Sequence, residues 1–541
     1  MLDYGATLLW FSGPPARLGS SSREASIMRL SRRKFVHSTF ALAAAPLVPV
    51  GYSRADDTTV RATAGDLAAR TTGGRTMSLT RGDILDLRAS LRGELILAAD
   101  AGYDQARRLW NAAFDRRPAL IARCAGAADV VRAVQFARSH GLLTAVRGGG
   151  HSYTGESGCD DGLVIDLSGI KGLRVDPKHR TAEAQPGVRL GEFDRETQAF
   201  GLATTLGTAP DTGIAGLTLG GGFGRLDRQF GLACDNLRAV DIVTADGTLR
   251  HADQEENRDL FWGVRGGGGN FGVVTNFEYG LHPVGPTVLA GSRIFPFARA
   301  REVMTAVLDF AQTIPDEMYV FAFVARDKGG SSPELMVGYE VFYSGALGEG
   351  ERLLEPLKKL GKALLDTVAP KPYVSAQQAY GDWEGPENVR SEYSKTGFME
   401  RVSTSLIDEI VRRFEAAPTI IDLVVVFREG GAFGRVKPDA TAFWNRWCQY
   451  AMTLSASWAG RSQNDQNLKA AREVWSTLAP YTRNFYINVD TERGERQVRA
   501  NYGDNYPRLV EIKTKYDPTN LFRLNGNIRP RTEETSPRSE G

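Results

Sequence analysis

The sequence is poor in the side chains that bind metals or form disulfide frameworks. Its 541 residues include four cysteines and six histidines, and none of them stands at the spacing of a zinc site or a Cys-x-x-Cys motif. The formal net charge is only +2, and no basic tract of the kind that binds nucleic acid is present. These absences predict a globular protein that has no metal centre and no nucleic-acid partner.

The N-terminal segment has the pattern of an export signal. Consecutive arginines, Arg32 and Arg33, precede a mildly apolar run from Phe40 to Val50, which is shorter than the about 20 residues that a membrane-spanning helix needs. Small residues after the run offer a cleavage site. The pattern predicts a leader over residues 1–55 that exports the folded protein by the twin-arginine route to the periplasm or extracellular space, with no membrane segment in the mature form. A disordered basic N-terminus is the alternative, and Met28 is an alternative start to Met1.

Apolar residues recur at helical or alternating spacing along the rest of the chain. Short strands with few helices occupy the first half, whereas amphipathic helices alternate with longer strand-like runs in the second half. The patterns predict helices over 126–140, 352–365 and 405–414, and strands over 142–146, 164–167, 239–244, 318–324, 334–342, 420–427 and 485–489. The sequence thus predicts an α+β fold with an antiparallel sheet covered by helices in its second half.

Glycine is concentrated in four segments of the first half, 147–155, 206–216, 219–224 and 265–274. Because glycine costs roughly 0.5–1 kcal/mol relative to alanine within regular elements, this concentration predicts a site where the backbone lies against a large flat ligand. His151 follows three successive glycines, where an imidazole is placed to bond a cofactor covalently. A set of unrelated hairpin turns is the alternative interpretation.

In order and spacing, the four segments resemble the FAD-binding domain of the berberine bridge enzyme-like flavoproteins, within the vanillyl-alcohol-oxidase/PCMH-type superfamily. Further matching segments are 230–236, 259–263, 501–506 and 515–525. The resemblance implies a two-domain PCMH-type fold, with an FAD-binding domain over 113–285, a substrate-binding domain over 286–490 and a berberine-bridge-like segment over 491–530 that returns to the first domain. The polar composition of residues 531–541 predicts a disordered tail.

The resemblance also implies which residues bind FAD. The histidine that matches His151 carries the flavin through its C8α methyl group. Many relatives add a second bond from a cysteine in a Gly-x-Cys-Pro pattern, which here has Ala209 in place of the cysteine. We therefore expect a single covalent attachment, with Cys234 more suited to packing than to flavin attachment. The cofactor-binding residues expected from the resemblance are Arg147, Gly148, Gly149, Gly150, His151, Ser152, Tyr153, Gly207, Asp211, Thr212, Gly213, Ile214, Gly216, Gly220, Gly221, Gly222, Gly272, Val274 and Asn525.

Tyr486 and Asn488 are the candidate catalytic residues. Relatives often carry a Tyr-x-Asn-Tyr strand that places a tyrosine over the flavin, and here the second tyrosine is replaced by Val489. On a strand, Tyr486 and Asn488 would project to the same face, and Tyr486 is the candidate base. A core aromatic is the alternative role. Thr212 matches the position thought to control oxygen access in the family, where relatives usually have an aliphatic residue, so the choice between oxidase and dehydrogenase stays open.

Together these features predict an exported FAD-linked oxidoreductase that oxidises a C–OH centre of a sugar or a secondary-metabolite alcohol. Hydride would pass to flavin N5, and molecular oxygen is the expected acceptor. One alternative is a C–N oxidase resembling the hydroxynicotine oxidases, and another is a secreted flavin-containing binding protein with little turnover. The sequence leaves open the substrate, the catalytic base, the oligomeric state and the pairing of the cysteines.

Overall fold

Within the described residues, the first half of the chain forms four small sheets of short strands connected by short helices. The computed structural model describes residues 66–327, 334–380 and 390–531, so the predicted leader and nearly all of the predicted tail lie outside the described residues. The elements of the first half are, in chain order, β1 (Leu67–Arg70), β2 (Thr76–Leu79), α1 (Arg81–Ser90), β3 (Glu94–Leu97), α2 (Tyr103–Arg107), β4 (Leu120–Arg123), α3 (Ala127–Ser139), β5 (Thr144–Arg147), β6 (Leu163–Asp166), β7 (Leu173–Asp176), β8 (Thr181–Ala184), α4 (Leu190–Gln198), β9 (Leu202–Ala203), α5 (Ile214–Leu219), α6 (Asp227–Phe230), β10 (Leu237–Thr244), β11 (Leu249–Ala252), α7 (Arg258–Val264), β12 (Gly272–Gly280) and β13 (His282–Pro283).

The second half is built on longer strands. Its elements are β14 (Thr287–Pro296), α8 (Ala300–Phe310), β15 (Met318–Asp327), β16 (Glu334–Tyr343), α9 (Leu347–Leu353), α10 (Glu355–Lys358), β17 (Leu365–Asp366), β18 (Ala369–Pro372), α11 (Tyr373–Gln377), β19 (Arg390–Met399), α12 (Thr404–Ala416), β20 (Ile421–Arg428), α13 (Ala432–Arg435), β21 (Tyr450–Ala459), α14 (Asn464–Leu478), α15 (Glu495–Tyr502) and α16 (Tyr506–Tyr516).

A mixed sheet in the first half positions the glycine loop. Its strand order is β3-β4-β6-β5, and β4 and β5 both run parallel to β6. Helix α3 connects β4 to β5 and buries Val130, Val134 and Ala137 at helical spacing. Strand β5 ends at Arg147, so the glycine loop follows at the carboxyl end of a parallel strand, where open α/β sheets bind ligands. A second, antiparallel sheet has the order β11-β10-β12-β8-β7.

The large antiparallel sheet of the second half has two different faces. Its strand order is β17-β14-β16-β15-β20-β21-β19, with β18 also pairing β14. On one face, Val303 of α8 and Ile410 of α12 pack with Val320 and Val324 of β15. Because side chains alternate along a strand, intervening residues such as Phe323 face the other way. The predicted α+β fold with an antiparallel sheet covered by helices is confirmed.

Most predicted elements are present, but two are wrong. The helix predicted over 352–365 is instead α9, α10 and the short strand β17. Pro356 stands in the first turn of α10. A proline is tolerated there because its missing N–H would have no partner within the helix anyway, but inside a longer helix it would break the hydrogen-bond ladder. The strand predicted over 485–489 is a turn, in which the N–H groups of Val489 and Asp490 both donate to the carbonyl oxygen of Tyr486.

Several classes of feature are absent from the described part of the chain. None of its helices combines the length and apolar character that crossing a bilayer requires. No group of histidine, cysteine, aspartate and glutamate side chains within it is arranged to hold a metal ion. None of its cysteines forms a disulfide bond, and all are buried; they are Cys124, Cys159, Cys234 and Cys448.

A buried lysine fastens the C-terminal helix to the first half. Lys513 of α16 is fully buried, and its Nζ donates to Asp517 Oδ2 at 2.7 Å and to the carbonyl oxygens of Asn270 and Phe522 at 2.7 and 2.8 Å. Asp517 also accepts the N–H groups of Leu521 and Phe522. The pair therefore joins α16, the turn that follows it and a glycine-rich segment of the first half.

Replacing Lys513 should destabilise the protein strongly. The Lys513→Met substitution leaves the buried Asp517 carboxylate without its cation, a change that typically costs about 3–5 kcal/mol. Urea unfolding followed by tryptophan fluorescence should show this loss. Lys515→Met is the matched control, because Lys515 pairs with Asp259 at the surface with its side chain 59% exposed, and such pairs contribute at most about 1 kcal/mol. Equal unfolding midpoints for the two variants would contradict this role.

Candidate active site

Two of the glycine-rich segments touch through their backbones. A Cβ atom added to Gly149 would lie 2.5 Å from the backbone nitrogen of Gly213, and one added to Gly213 would lie 2.5 Å from that of Gly149. Neither position therefore accepts a side chain. Gly150 has a φ of +72°, in the left-handed region that favours glycine. The contact brings the loop after β5 against the N-terminus of α5 and leaves His151 at its edge.

A cavity of about 370 Å³ runs along these loops. Most of the residues expected to bind the cofactor lie on its wall, and Tyr486 and Asn488 join them there. The expected cofactor residues that line this first cavity are Gly148, Gly149, Gly150, His151, Ser152, Tyr153, Gly207, Thr212, Gly213, Gly216, Gly272, Val274 and Asn525.

The other expected cofactor residues lie behind the wall. The Arg147 guanidinium donates to the carbonyl oxygen of Ala106, and Ile214 is fully buried in the apolar core. Asp211 Oδ1 lies 3.8 Å from His151 Nε2. Gly220, Gly221 and Gly222 face protein groups, and these are Asn488, Phe443 and Ala233 respectively. These residues support the cavity wall from behind. The spacing of the motif could not show which residues line the cavity and which only support its wall.

His151 is held as a neutral imidazole. Its ring stacks on Trp110 with centroids 4.1 Å apart and planes inclined by 18°, and its Nε2 has no hydrogen-bond partner among the described residues. Burial, and then the positive charge of Arg189, lower the pKa of His151 to about 4. At neutral pH a ring nitrogen therefore keeps a free lone pair, which makes the side chain nucleophilic.

Trp110 belongs to the site although no sequence motif marked it. Its backbone N–H donates to the carbonyl oxygen of Gly150 at 3.0 Å, and its ring contacts both His151 and Tyr153. The indole therefore fixes the orientation of the imidazole at the end of the glycine loop. Its position lies 41 residues from that of His151 in the sequence and outside every glycine-rich segment, so no motif points to it.

Arg493 is a second residue that the sequence did not mark. Its Nη2 donates to Glu156 and its Nη1 to the carbonyl oxygen of Ile487, while its Nε has no partner among the described residues. The side chain is only 9% exposed and lines the first cavity. A buried guanidinium N–H beside a cavity suits a ligand that carries negative charge or carbonyl oxygens.

A second cavity of about 340 Å³ adjoins the first. Its floor is the face of the large sheet opposite the helices, formed by alternate residues of β15 and β20. These are mainly aromatic or aliphatic, and they include Tyr319, Phe321, Phe323, Leu423, Val425 and Phe427. The residues that line both cavities are His151, Tyr153, Thr208, Ala209, Phe223, Tyr486 and Val489. His151 and Tyr486 therefore lie where the two spaces meet.

Tyr486 and Asn488 do meet, but on a turn and not on a strand. Asn488 Nδ2 donates to Tyr486 Oη at 2.8 Å and to the carbonyl oxygen of Leu217 at 2.9 Å, and the Gly222 N–H donates to Tyr486 Oη at 3.2 Å. Burial raises the pKa of Tyr486 to about 12. The phenol is thus protonated at neutral pH, with its oxygen already accepting two hydrogen bonds. Its own hydrogen remains to donate, so the arrangement favours a donor over the predicted base.

Family models match two parts of the chain. Residues 118–253 match the model described as FAD binding domain, and residues 485–529 match the model described as berberine and berberine like. The first stretch contains His151 and the first three glycine-rich segments, whereas the second contains Tyr486, Asn488, Arg493 and Asn525.

Several relatives match this chain over most of its length and of their own. The chain is 31% identical to an FAD-linked oxidoreductase from Dictyostelium discoideum over 446 residues, which cover 82% of this chain and 95% of the relative. It is 32% identical to (R)-6-hydroxynicotine oxidase from Paenarthrobacter nicotinovorans over 457 residues, covering 82% and 97%. The crystal structure of 6-hydroxy-D-nicotine oxidase from Arthrobacter nicotinovorans superposes with a TM-score of 0.75 at 30% identity, covering 82% of this chain and 99% of that one.

Sugar oxidases share the fold at lower identity. A chitooligosaccharide oxidase superposes with a TM-score of 0.74 at 23% identity, covering 83% of this chain and all of its own length. This likeness supports the two-domain fold alone. The family models, the relatives and the site geometry agree, and the chain is an FAD-linked oxidoreductase that belongs to the berberine bridge enzyme-like family.

Proposed function

We propose that the protein is an exported oxidase that removes hydride from the C–OH carbon of an alcohol bound in the second cavity. FAD lies in the first cavity, bonded covalently to His151 alone, and molecular oxygen reoxidises it. The observation that carries this proposal is the neutral imidazole of His151 at the junction of the two cavities, whose Nε2 accepts no hydrogen bond from any described residue.

The residues of the first cavity fit FAD. The contact between Gly149 and Gly213 leaves a wall of bare backbone, which a large flat ligand can approach closely. His151 Nε2 and Arg493 Nε are buried and lack partners among the described residues, so a bound group with a reactive methyl and anionic oxygens would satisfy both. When bound, the flavin supplies the hydride acceptor.

The environment of the cysteines supports a single covalent attachment. Ala209 lines the first cavity in the position where many relatives have cysteine. Cys234 is fully buried in an apolar cluster with Phe398, Phe433 and Phe443, and it is not part of the wall of the first cavity. Burial also raises the pKa of the Cys234 thiol, which keeps it in the unreactive protonated form.

The lining of the second cavity supports an aromatic or otherwise apolar alcohol over a sugar. Sugars need many hydrogen-bond partners, whereas the residues of β15 and β20 on the wall of this cavity are mainly phenylalanine, leucine and valine. Polar side chains of β19 and β21 line it as well, and they are Thr396, Thr453 and Ser455. Tyr486 is the group that orients the substrate oxygen, because its hydroxyl hydrogen is available to donate. Asn488 is a positioning residue that holds the tyrosine in place.

Oxidation of an amine is the second candidate function. The carboxyl side chains of Glu392 and Asp422 line the second cavity, and carboxylates there would attract a protonated nitrogen. The similarity to (R)-6-hydroxynicotine oxidase, at 32% identity, supports the same possibility. The flavin-containing binding protein considered earlier receives no such support, since the relatives named above are oxidoreductases.

Removing the His151 imidazole should release the flavin from covalent linkage. Wild-type protein should stay yellow after acid precipitation, whereas His151→Ala should leave FAD in the supernatant, because the described lining of the first cavity holds no cysteine and no other histidine. Mass spectrometry of proteolytic peptides should find the flavin on the His151 peptide. Cys234→Ala is the control and should keep the colour in the pellet. Flavin still bonded to His151→Ala would refute single attachment.

Removing the Tyr486 hydroxyl should slow flavin reduction without releasing the flavin. Stopped-flow bleaching under anaerobic conditions, with the fastest alcohol of an aromatic and aliphatic panel, should fall roughly 10-fold to 100-fold in Tyr486→Phe, the effect of losing one hydrogen bond to the reacting oxygen. Tyr481→Phe, at an exposed position, should reduce at the wild-type rate. An unchanged rate in Tyr486→Phe would remove the tyrosine from the reaction.

Export depends on the paired arginines, which lie outside the described residues. In a Gram-negative host, wild-type precursor should deliver yellow protein to the periplasm, whereas Arg32→Lys together with Arg33→Lys should hold it in the cytoplasm, since this export route is read through the arginine pair. Arg29→Lys is the control and should leave export intact. Fractionation followed by immunoblotting measures both, and periplasmic protein from the double variant would argue against this route.

A further inference from the structure

A pair of buried carboxyl groups lies beside the catalytic junction. Asp227, at the start of α6, is fully buried, and Glu429, just after β20, is 2% exposed and lines the second cavity. Asp227 Oδ1 and Glu429 Oε2 have no hydrogen-bond donor among the described residues, although the two carboxyl groups interact with each other. Burial and the like charge of the neighbour both disfavour two anions at such a site, so the pair favours the state that keeps one proton.

The neighbouring cations do not neutralise the pair directly. Arg228 donates its described hydrogen bonds to the carbonyl oxygens of Ile314, Pro315, Met318 and Glu429. Arg428 donates to Ala311 and Gln449. Both guanidinium groups lower the pKa of Glu429 from a distance, but neither forms the bidentate contact that would fix it as a carboxylate.

The remaining titratable neighbours are neutral. Burial raises the pKa of both Tyr319 and Cys448, which lie near the pair, so the phenol and the thiol stay protonated at neutral pH. Burial also raises the pKa of Asp227, and burial and then the adjacent Asp227 carboxylate raise the pKa of Glu429 well above its usual range. The pair therefore gains or loses its proton at a higher pH than an ordinary carboxyl group.

One short segment connects the pair to Tyr486. The Gly222 N–H donates to Tyr486 Oη, and the Gly224 N–H donates to Asp227 Oδ2 at 3.3 Å. The two amides are separated by two residues, at most roughly 7 Å of chain. Phe223 lies between them and lines both cavities, and its ring meets that of Tyr486 edge to face at 4.9 Å.

We propose that Glu429 accepts the hydroxyl proton of the alcohol, and that the neighbouring Asp227, through its like charge, strengthens the Glu429 carboxylate as a proton acceptor. In this step the substrate O–H bond breaks and its proton bonds to a Glu429 carboxylate oxygen. With FAD held in the first cavity as the hydride acceptor, the C–H bond would break with its electron pair leaving as hydride, and the C–O bond would become a carbonyl. The alcohol is oxidised, the flavin is reduced, and the proton later leaves to solvent. This step rests on the proposed function, because it requires an alcohol substrate.

Burying two carboxyl groups that each keep one oxygen without a donor among the described residues costs stability, so the pair calls for a functional reason. A proton acceptor needs a pKa near the working pH, and burial beside a like charge supplies it. Tyr486 cannot fill the role while its pKa stays near 12. The division of labour is therefore a tyrosine that orients the oxygen and a carboxyl pair that takes the proton.

The first test needs no substrate. Infrared pH titration of the holoenzyme should show a carbonyl band of a protonated carboxyl group that persists above the pH at which ordinary carboxyls ionise, about 4.3. The part of this band that comes from the pair should disappear in Glu429→Gln combined with Asp227→Asn, whereas a part from Asp194, whose pKa burial raises to about 7, should stay. The part from the pair should remain in Asp316→Asn, which alters a carboxylate near Arg228 whose side chain is a third exposed. No such band in the wild type would overturn the proposal.

The second test follows flavin reduction by the alcohol chosen from the panel. The wild-type rate should rise with pH through the pKa of the pair, since only the ionised form accepts a proton. Glu429→Gln should lower the rate roughly 100-fold or more and abolish this rise. Asp227→Asn should instead move the rise to lower pH with a smaller loss of rate, because Glu429 loses its like-charged neighbour. Asp316→Asn should match the wild type.

The outcomes separate this inference from the proposed function. If no alcohol bleaches the flavin but an amine does, the proposed alcohol oxidation fails, and the proton acceptor fails with it even where the infrared band is present. If alcohols do bleach the flavin while Glu429→Gln keeps the wild-type rate and pH profile, only the role of Glu429 is overturned. Equal losses in Glu429→Gln and Asp227→Asn with an unchanged pH profile would indicate a merely structural pair and would likewise overturn it.

Discussion

The site depends on one contact in which two glycines pack backbone against backbone. Gly149 follows β5 and Gly213 precedes α5, and a Cβ on either residue would collide with the other. The contact joins the parallel sheet to the segment that carries Thr212 and Ala209. His151 stands two residues beyond Gly149, so its position follows from how closely the two backbones approach. Bulkier residues at this contact would separate the loops and move the imidazole from the junction of the cavities.

Burial then decides which groups can react. Exclusion of water lowers the pKa of the His151 imidazole and raises that of the Tyr486 phenol, because the charged form of each is disfavoured in a low-dielectric setting. The same exclusion keeps a proton on the pair formed by Asp227 and Glu429. One physical cause thus produces a nucleophile, a hydrogen-bond donor and a proton acceptor from side chains that would behave differently in water.

The sequence predicted the elements whose signal is local. Helix α3, strands β10, β15 and β20, and the glycine loop around His151 follow from periodicity or from glycine spacing, and the family resemblance supplied the cofactor. It missed Trp110, Arg493 and the carboxyl pair because each becomes significant only through a partner distant in sequence. Asp227 and Glu429, for example, lie 202 residues apart. The turn at Tyr486 was also missed. The backbone N–H of Tyr486 donates to the side-chain hydroxyl of Thr396, and this long-range bond takes the place of strand pairing.

The carboxyl pair bears on which of the two candidate reactions suits the second cavity. Hydride loss from a neutral amine leaves a cation on nitrogen, and no proton has to leave at that step. Hydride loss from an alcohol leaves a protonated carbonyl unless the O–H proton departs as well, so a nearby acceptor lowers that barrier. The carboxyl side chains of Glu392 and Asp422 on the cavity wall would suit a cationic amine. A pair that shares a proton beside the junction is what an alcohol needs, which is why the cavity favours C–OH oxidation.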